Sequence, residues 1–158
     1  MRGRVTEIIA RQEDPRAASQ LAIAAHDIPT ELPANVLKQA QDAVPADAPR
    51  EDLRNTPLIT IDPVDARDHD DAVFAEALED GWRIIVAIAD VAAYVTSDSP
   101  LDTEALKRGN STYFPDRVVP MLPFELSADQ CSLKEGQDRM CLAVSMEFDK
   151  SGTKRSHK

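Results

Sequence analysis

Two apolar runs joined by a short turn constrain the fold of this 158-residue chain more than any other feature. Residues 72–78 (AVFAEAL) and 82–89 (WRIIVAIA) flank Glu79-Asp80-Gly81, where the glycine suits a position of positive φ. The second run is apolar nearly throughout, which is typical of a strand near the centre of a sheet. The pattern therefore predicts two adjacent strands connected by a tight turn.

The predicted helices lie on either side of this pair. Residues 31–44 carry apolar side chains at near-helical spacing. Ser99 is a good N-cap for a second helix, with Pro100 in the first helical position and Gly109 as its expected end. Residues 17–25 are apolar, but their pattern does not decide between helix and strand.

Further strands are predicted at both ends of the chain. Residues 3–10 (GRVTEIIA) alternate loosely and contain β-branched side chains, and residues 140–148 form the last strand candidate. Residues 113–123 contain three prolines, which indicates a loop. We therefore expect an α+β fold, with a mixed, mainly antiparallel sheet and flanking helices.

Composition limits the classes of protein. The net charge of −10 counts against a generic binder of nucleic acid. No apolar run approaches the roughly 18–20 residues that span a bilayer, and no signal peptide is expected after the first residues. The lack of such a run predicts no membrane contact. Cys131 and Cys141 are too few for a disulfide framework, which predicts a cytoplasmic protein.

The acidity is concentrated in one short segment. Residues 62–71 contain five aspartates and one arginine. Two like charges about 4 Å apart repel by about 4 kcal/mol at an effective dielectric constant near 20. A divalent cation would relieve this repulsion, and carboxylate oxygens suit Mg²⁺ or Mn²⁺. Such a site could support metal-assisted cleavage of a phosphodiester.

Two other interpretations of the acidic segment compete with a metal site. A solvated acidic loop is the simpler interpretation, but every acid in the segment is Asp rather than Glu, and the segment lies between two apolar runs. A calcium loop beginning at Asp68 fails, because Ala72 and Val73 occupy the positions of a ligand and of the required glycine. The residues alone leave the metal site and the solvated loop both open.

A set of ordered sequence blocks resembles the start of the catalytic domain of the ribonuclease II / ribonuclease R (RNB) family, most of all its bacterial ribonuclease R branch. The blocks are residues 60–63 (TIDP), 65–72 (DARDHDDA), 86–91 (VAIADV), 107–111 (KRGNS), 113–123 (YFPDRVVPMLP) and 131–133 (CSL). The resemblance covers about residues 51–152. It implies a 3′→5′ exoribonuclease that uses Mg²⁺ or Mn²⁺ and hydrolyses single-stranded RNA to nucleoside 5′-monophosphates.

The resemblance also assigns roles to the acidic segment. The four catalytic and metal-binding acids of the family are matched by Asp62, Asp68, Asp70 and Asp71. Asp70 is implied to be the most sensitive position. Asp65 is expected to have a structural role, such as pairing with Arg67, and His69 is expected to be filler.

The resemblance implies substrate contacts outside the acidic segment. Tyr113 matches an aromatic residue that stacks on a base near the RNA 3′ end, and Arg108 and Arg117 are candidates for phosphate contacts. Phe114 and Trp82 are expected in the core.

The matched blocks imply two segments and an incomplete catalytic domain. Residues 1–50 are expected to contain the end of a cold-shock or OB-like region and a helical lead-in. Residues 51–158 are expected to form the N-terminal half of an RNB catalytic domain. The chain alone should therefore be weak or inactive without a C-terminal half or a complementing chain. The alternative is a non-catalytic module that binds a cation and RNA, and the least favoured is an acidic module that binds proteins.

Overall fold

The chain folds into a group of short helices beside an antiparallel sheet. The computed structural model describes residues 4–11, 13–64 and 66–158. The helical elements are α1 (Ala17–Ala25), α2 (Ala34–Gln41), a 3₁₀ turn (Val91–Ala93), α3 (Pro100–Arg108) and a π-helical segment (Glu125–Gln130). The strands are β1 (Asp71–Leu78), β2 (Gly81–Ala89), β3 (Thr112–Tyr113), β4 (Val118–Val119), β5 (Cys141–Asp149) and β6 (Lys154–His157).

The main sheet has the strand order β1-β2-β5-β6, and every neighbouring pair is antiparallel. The predicted pair of strands is confirmed, with Val73 opposite Val86. The glycine after the turn is required by close packing, since a Cβ on Gly81 would lie 1.9 Å from the carbonyl oxygen of Phe148 on β5. The α+β class with an antiparallel sheet is therefore confirmed.

Helix α3 has the predicted boundaries. The Ser99 hydroxyl accepts a hydrogen bond from the Asp102 backbone N–H at 3.2 Å, Pro100 begins the helix, and Gly109 ends it with a φ of 77°. Helix α2 is shorter than the predicted span of 31–44, and the undecided segment 17–25 is helix α1.

Three predictions of strand and loop differ from the structure. Residues 4–10 of the predicted first strand have no regular secondary structure, and Gly3 lies outside the described residues. Strand β6, which the sequence did not predict, pairs with β5 although its four side chains are all exposed. The proline-rich loop contains the short β3–β4 ladder.

The principal core lies between the helices and one end of β2. Its buried members are Val36, Ala40, Ala89, Leu101, Leu122, Leu126 and Cys131. Helix α2 therefore packs in one core with elements that follow residue 50. No helix in the described part of the chain is long and apolar enough to cross a membrane.

One face of the sheet is left uncovered. We call it the open sheet face and define it by Trp82, Ile88, Leu142 and Val144, which are 51%, 47%, 69% and 38% exposed. Ile88 is opposite Leu142 in the β2–β5 ladder, and residues opposite each other share a face. On the other face, Ala72 and Ala87 are buried. The prediction that Trp82 lies in the core is wrong, because about half of this residue is exposed on the open sheet face.

Candidate active site

The acidic segment leads directly into the sheet. The carbonyl oxygen of Asp70 accepts a hydrogen bond from the Ala89 N–H at 2.8 Å, and Asp71 begins β1 opposite Ile88 on β2. These two aspartates therefore take their positions from the sheet. Asp62 and Asp68 lie in the preceding loop, and Asp65 is outside the described residues.

A distant segment fixes the loop. The buried Ser132 hydroxyl accepts a hydrogen bond from the His69 N–H at 2.9 Å. The neighbouring Leu133 N–H donates to the His69 carbonyl at 2.8 Å. Both backbone polar groups of His69 are thus held by residues more than sixty positions away in the sequence.

The His69 ring reaches back across the loop to Asp62. Its Nδ1 lies 2.9 Å from Asp62 Oδ2, and the two side chains are 29% and 18% exposed. This contact is the main reason that the pKa of the Asp62 carboxyl lies below its usual value. His69 was expected to be filler, and this contact was missed because a spacing of seven residues within a loop follows no regular period.

Asp70 is affected both by burial and by the charges of its neighbouring acids. Burial is the largest cause of the raised pKa of Asp70, and the charges of Asp68, Asp71 and Asp62 follow in that order. The other three predicted acids therefore act electrostatically on the Asp70 carboxyl group. Their donor set consists of oxygens alone, which fits Mg²⁺ or Mn²⁺. Over residues 4–11, 13–64 and 66–158, however, no three His, Cys, Asp or Glu side chains converge closely enough to hold a metal ion.

Tyr113 lies beside the acidic segment. Its hydroxyl donates to Asp68 Oδ2 at 3.0 Å, while the side chain remains exposed. Partial burial and this hydrogen bond to a carboxylate raise the pKa of the Tyr113 hydroxyl. The structure thus brings a predicted stacking residue into contact with a predicted catalytic acid.

The two predicted arginines are placed differently. The Arg108 side chain is 3% exposed, and its guanidinium donates to Glu104 Oε1 at 2.8 Å and to the carbonyl oxygens of Pro29, Glu31 and Pro120. This arrangement ties α3 to two loops and favours a structural role over a phosphate contact. Arg117 is 32% exposed and donates from Nε to Asp116 at 2.9 Å.

Comparison with known proteins identifies the class. The family described as RNB domain matches residues 50–158, and the chain therefore belongs to it. Ribonuclease R of Vibrio parahaemolyticus is 50% identical over 164 residues, which cover 100% of this chain and 20% of that relative. Ribonuclease R of Escherichia coli is 43% identical over 162 residues, which cover 99% of this chain and 20% of that relative.

A solved structure has the same fold. Mycoplasma genitalium RNase R in complex with double-stranded RNA matches with a TM-score of 0.89 and 32% identity, over 97% of this chain and 28% of that chain. The chain therefore spans about a fifth of the length of the curated relatives named above.

Proposed function

We propose that residues 51–158 are the N-terminal half of the catalytic domain of an RNB exoribonuclease, and that residues 1–50 contain the end of a cold-shock or OB-like region and a helical lead-in. The complete enzyme would hydrolyse single-stranded RNA from its 3′ end to nucleoside 5′-monophosphates. The observation that carries the proposal is the match of residues 50–158 to the RNB domain family, together with the placement of Asp70 and Asp71 at the start of β1 by the sheet. Carboxylates that repel one another at the start of a strand form a site that attracts a cation.

The cation would be held by the side chains of four aspartates, Asp62, Asp68, Asp70 and Asp71. Bound Mg²⁺ or Mn²⁺ would activate a water molecule and stabilise the leaving oxygen of the phosphodiester. Asp70 and Asp71 are held by the sheet, which suits them to keep a fixed position during turnover. The loop aspartates Asp62 and Asp68 would also bind the cation, and RNA and the rest of the domain would supply the remaining ligands.

Tyr113 would bind the RNA end next to these acids. Its exposed ring can stack on a base, and such stacking contributes about 1–3 kcal/mol per base with little dependence on the base. The hydrogen bond from its hydroxyl to Asp68 would keep the ring at the edge of the acidic segment. Arg117 remains a candidate for a phosphate contact, since part of its side chain is exposed.

The open sheet face supports the view that the catalytic domain is completed by further polypeptide. An exposed contiguous apolar surface of this kind marks an interface, and the relatives extend well beyond the matched region. We propose that a C-terminal half, in the same chain or a complementing one, covers this face. Without it we expect at most trace nuclease activity, because losing one stabilising group at an active site commonly costs about 10²–10³ in rate.

A chimaera tests the enzymatic function. We would replace the region of Vibrio parahaemolyticus ribonuclease R that aligns with this chain by this chain, and follow uniformly labelled single-stranded RNA in Mg²⁺. The chimaera should release mononucleotides, and Asp70→Asn should abolish the release. A folded chimaera without activity would contradict the proposal.

The second candidate function is a non-catalytic module that binds a cation and RNA. Within the described residues, the lack of three convergent metal-binding side chains counts against turnover by the isolated chain, whereas the exposed Tyr113 ring could still bind RNA without it. Binding of Mn²⁺ and RNA by the 158-residue chain, combined with an inactive chimaera, would support this alternative.

The proposal includes a cytoplasmic location. Cys131 and Cys141 are both free thiols, as expected in a reducing compartment. Cell fractionation followed by immunodetection would test the location directly.

A further inference from the structure

His69 is a polar residue that the proposed mechanism does not use, although its ring contacts one of the catalytic acids. We propose that His69 is a positioning residue that donates its Nδ1–H to Asp62 and fixes the orientation of that carboxylate. The inference rests on the proposed function, because it assigns His69 to the same site.

The backbone of His69 is well placed for this task. Its N–H donates to the buried Ser132 hydroxyl, and its carbonyl accepts from Leu133. These two bonds, of 2.9 and 2.8 Å, fix the residue from both sides. The ring therefore projects from an anchored point, whereas Asp62 lies seven positions earlier in the loop.

The chemistry of the pair determines which atom carries the proton. An ionised carboxylate can only accept a hydrogen bond, so the 2.9 Å contact requires a proton on Nδ1 of His69. The other ring nitrogen, Nε2, then has no proton in the neutral ring.

The contact would improve cation binding by ordering the carboxylate beforehand. Oδ2 of Asp62 lies against His69, and in this proposal Oδ1 would be the oxygen that binds the cation. Groups that orient a metal ligand typically contribute about 10–100-fold to metal affinity. His69 would therefore act through Asp62 rather than by touching the cation through Nδ1.

The experiment measures Mn²⁺ binding to the 158-residue chain by calorimetric titration. His69→Phe keeps a ring but removes the donor, and we expect it to weaken binding about 10-fold or more. His69→Asn retains an N–H near the position of Nδ1 and should stay within about 3-fold of the wild type. His26→Phe, at an exposed histidine in another part of the chain, is the matched control and should leave binding unchanged.

A second measurement does not depend on the metal. Long-range ¹H–¹⁵N spectra in alkaline buffer, where an imidazole is neutral, report which ring nitrogen carries the proton. We expect the proton on Nδ1 of His69 in the wild type and a loss of this preference in Asp62→Ala.

The outcomes separate this inference from the proposed function. A folded His69→Phe chain that binds Mn²⁺ like the wild type overturns the positioning role, and so does a proton on Nε2 in the wild-type spectrum. If the wild type binds no Mn²⁺, the proposed metal site fails, and the ring spectrum still decides the contact with Asp62. The same spectrum decides the question if His69→Phe does not fold.

Discussion

Replacing Arg108 by methionine should destabilise the chain strongly without touching the acidic segment. The side chain is 3% exposed, and the guanidinium bonds to Glu104 and to three backbone carbonyl oxygens. Methionine fills much of the same volume but provides none of the donors. The Glu104 carboxylate, whose side chain is 9% exposed, would keep only Lys107 at 3.9 Å.

The size of the effect follows from these contacts. Removing one partner of a buried ion pair typically costs about 3–5 kcal/mol, because the other charge stays buried without compensation. The unpaired carbonyl oxygens act in the same direction, although such effects do not simply add. We therefore expect Arg108→Met to lower the free energy of unfolding by about 3–5 kcal/mol, out of a total that is typically about 5–15 kcal/mol.

Urea denaturation followed by circular dichroism measures this loss. Arg108→Lys should recover little stability, since a single ammonium cannot reach four acceptors placed around a planar guanidinium. Arg117→Met is the matched control, because Arg117 is 32% exposed with an ion pair to its neighbour Asp116, and it should cost about 0–1 kcal/mol. A loss below about 1 kcal/mol for Arg108→Met would refute a structural role and make Arg108 available again as a phosphate contact.

Three further predictions concern other parts of the chain. Gly81→Ala should lower the melting temperature by several degrees in a thermal scan, because the added Cβ would lie 1.9 Å from the carbonyl oxygen of Phe148; an unchanged value would contradict this packing. Tyr113→Ala in the chimaera should weaken single-stranded RNA binding by about 1–3 kcal/mol in fluorescence anisotropy. Tyr113→Phe, which loses only the hydrogen bond to Asp68, should bind nearly as well, and equal losses in both variants would exclude stacking. Burial raises the pKa of the Cys131 thiol from 9.0 to about 11. At pH 8 the thiolate should therefore be about 100-fold rarer in the native chain than in the unfolded chain. Alkylation by iodoacetamide should be slower in the native chain than in urea by a similar factor, and equal rates would contradict the burial of Cys131.

Short-range sequence signals correctly predicted helix α3 and the β1–β2 pair, because both depend on residues that are close in the sequence. The Ser99 cap, the Pro100 start and the Gly109 end of α3 lie within a few residues of one another, and the backbone bonds that they satisfy are equally close. The β1–β2 pair followed from two apolar runs and a turn for the same reason. Strand β6 was not predicted because its four residues are polar and exposed, and its only strand signal is the pairing with β5.

The candidate site divides in a similar way. The acidic segment and Tyr113 were found from the sequence, because residue type and motif order mark them. The contact between the Tyr113 hydroxyl and Asp68 joins residues 45 positions apart, and only the fold brings them together. Arg108 was a candidate for contact with an RNA phosphate, because the neighbouring residues in the sequence do not reveal that its side chain is buried.

The sequence by itself determined the α+β class, the hairpin of β1 and β2, the crowded aspartates and the membership of the RNB family. These properties depend on residue type, spacing and short-range bonding. The tertiary structure decided which side chains are buried and which contact each other across long separations. It placed His69 against Asp62, buried the Arg108 guanidinium and left Trp82 on an uncovered sheet face. Such outcomes depend on where distant segments pack, and therefore no local pattern encodes them.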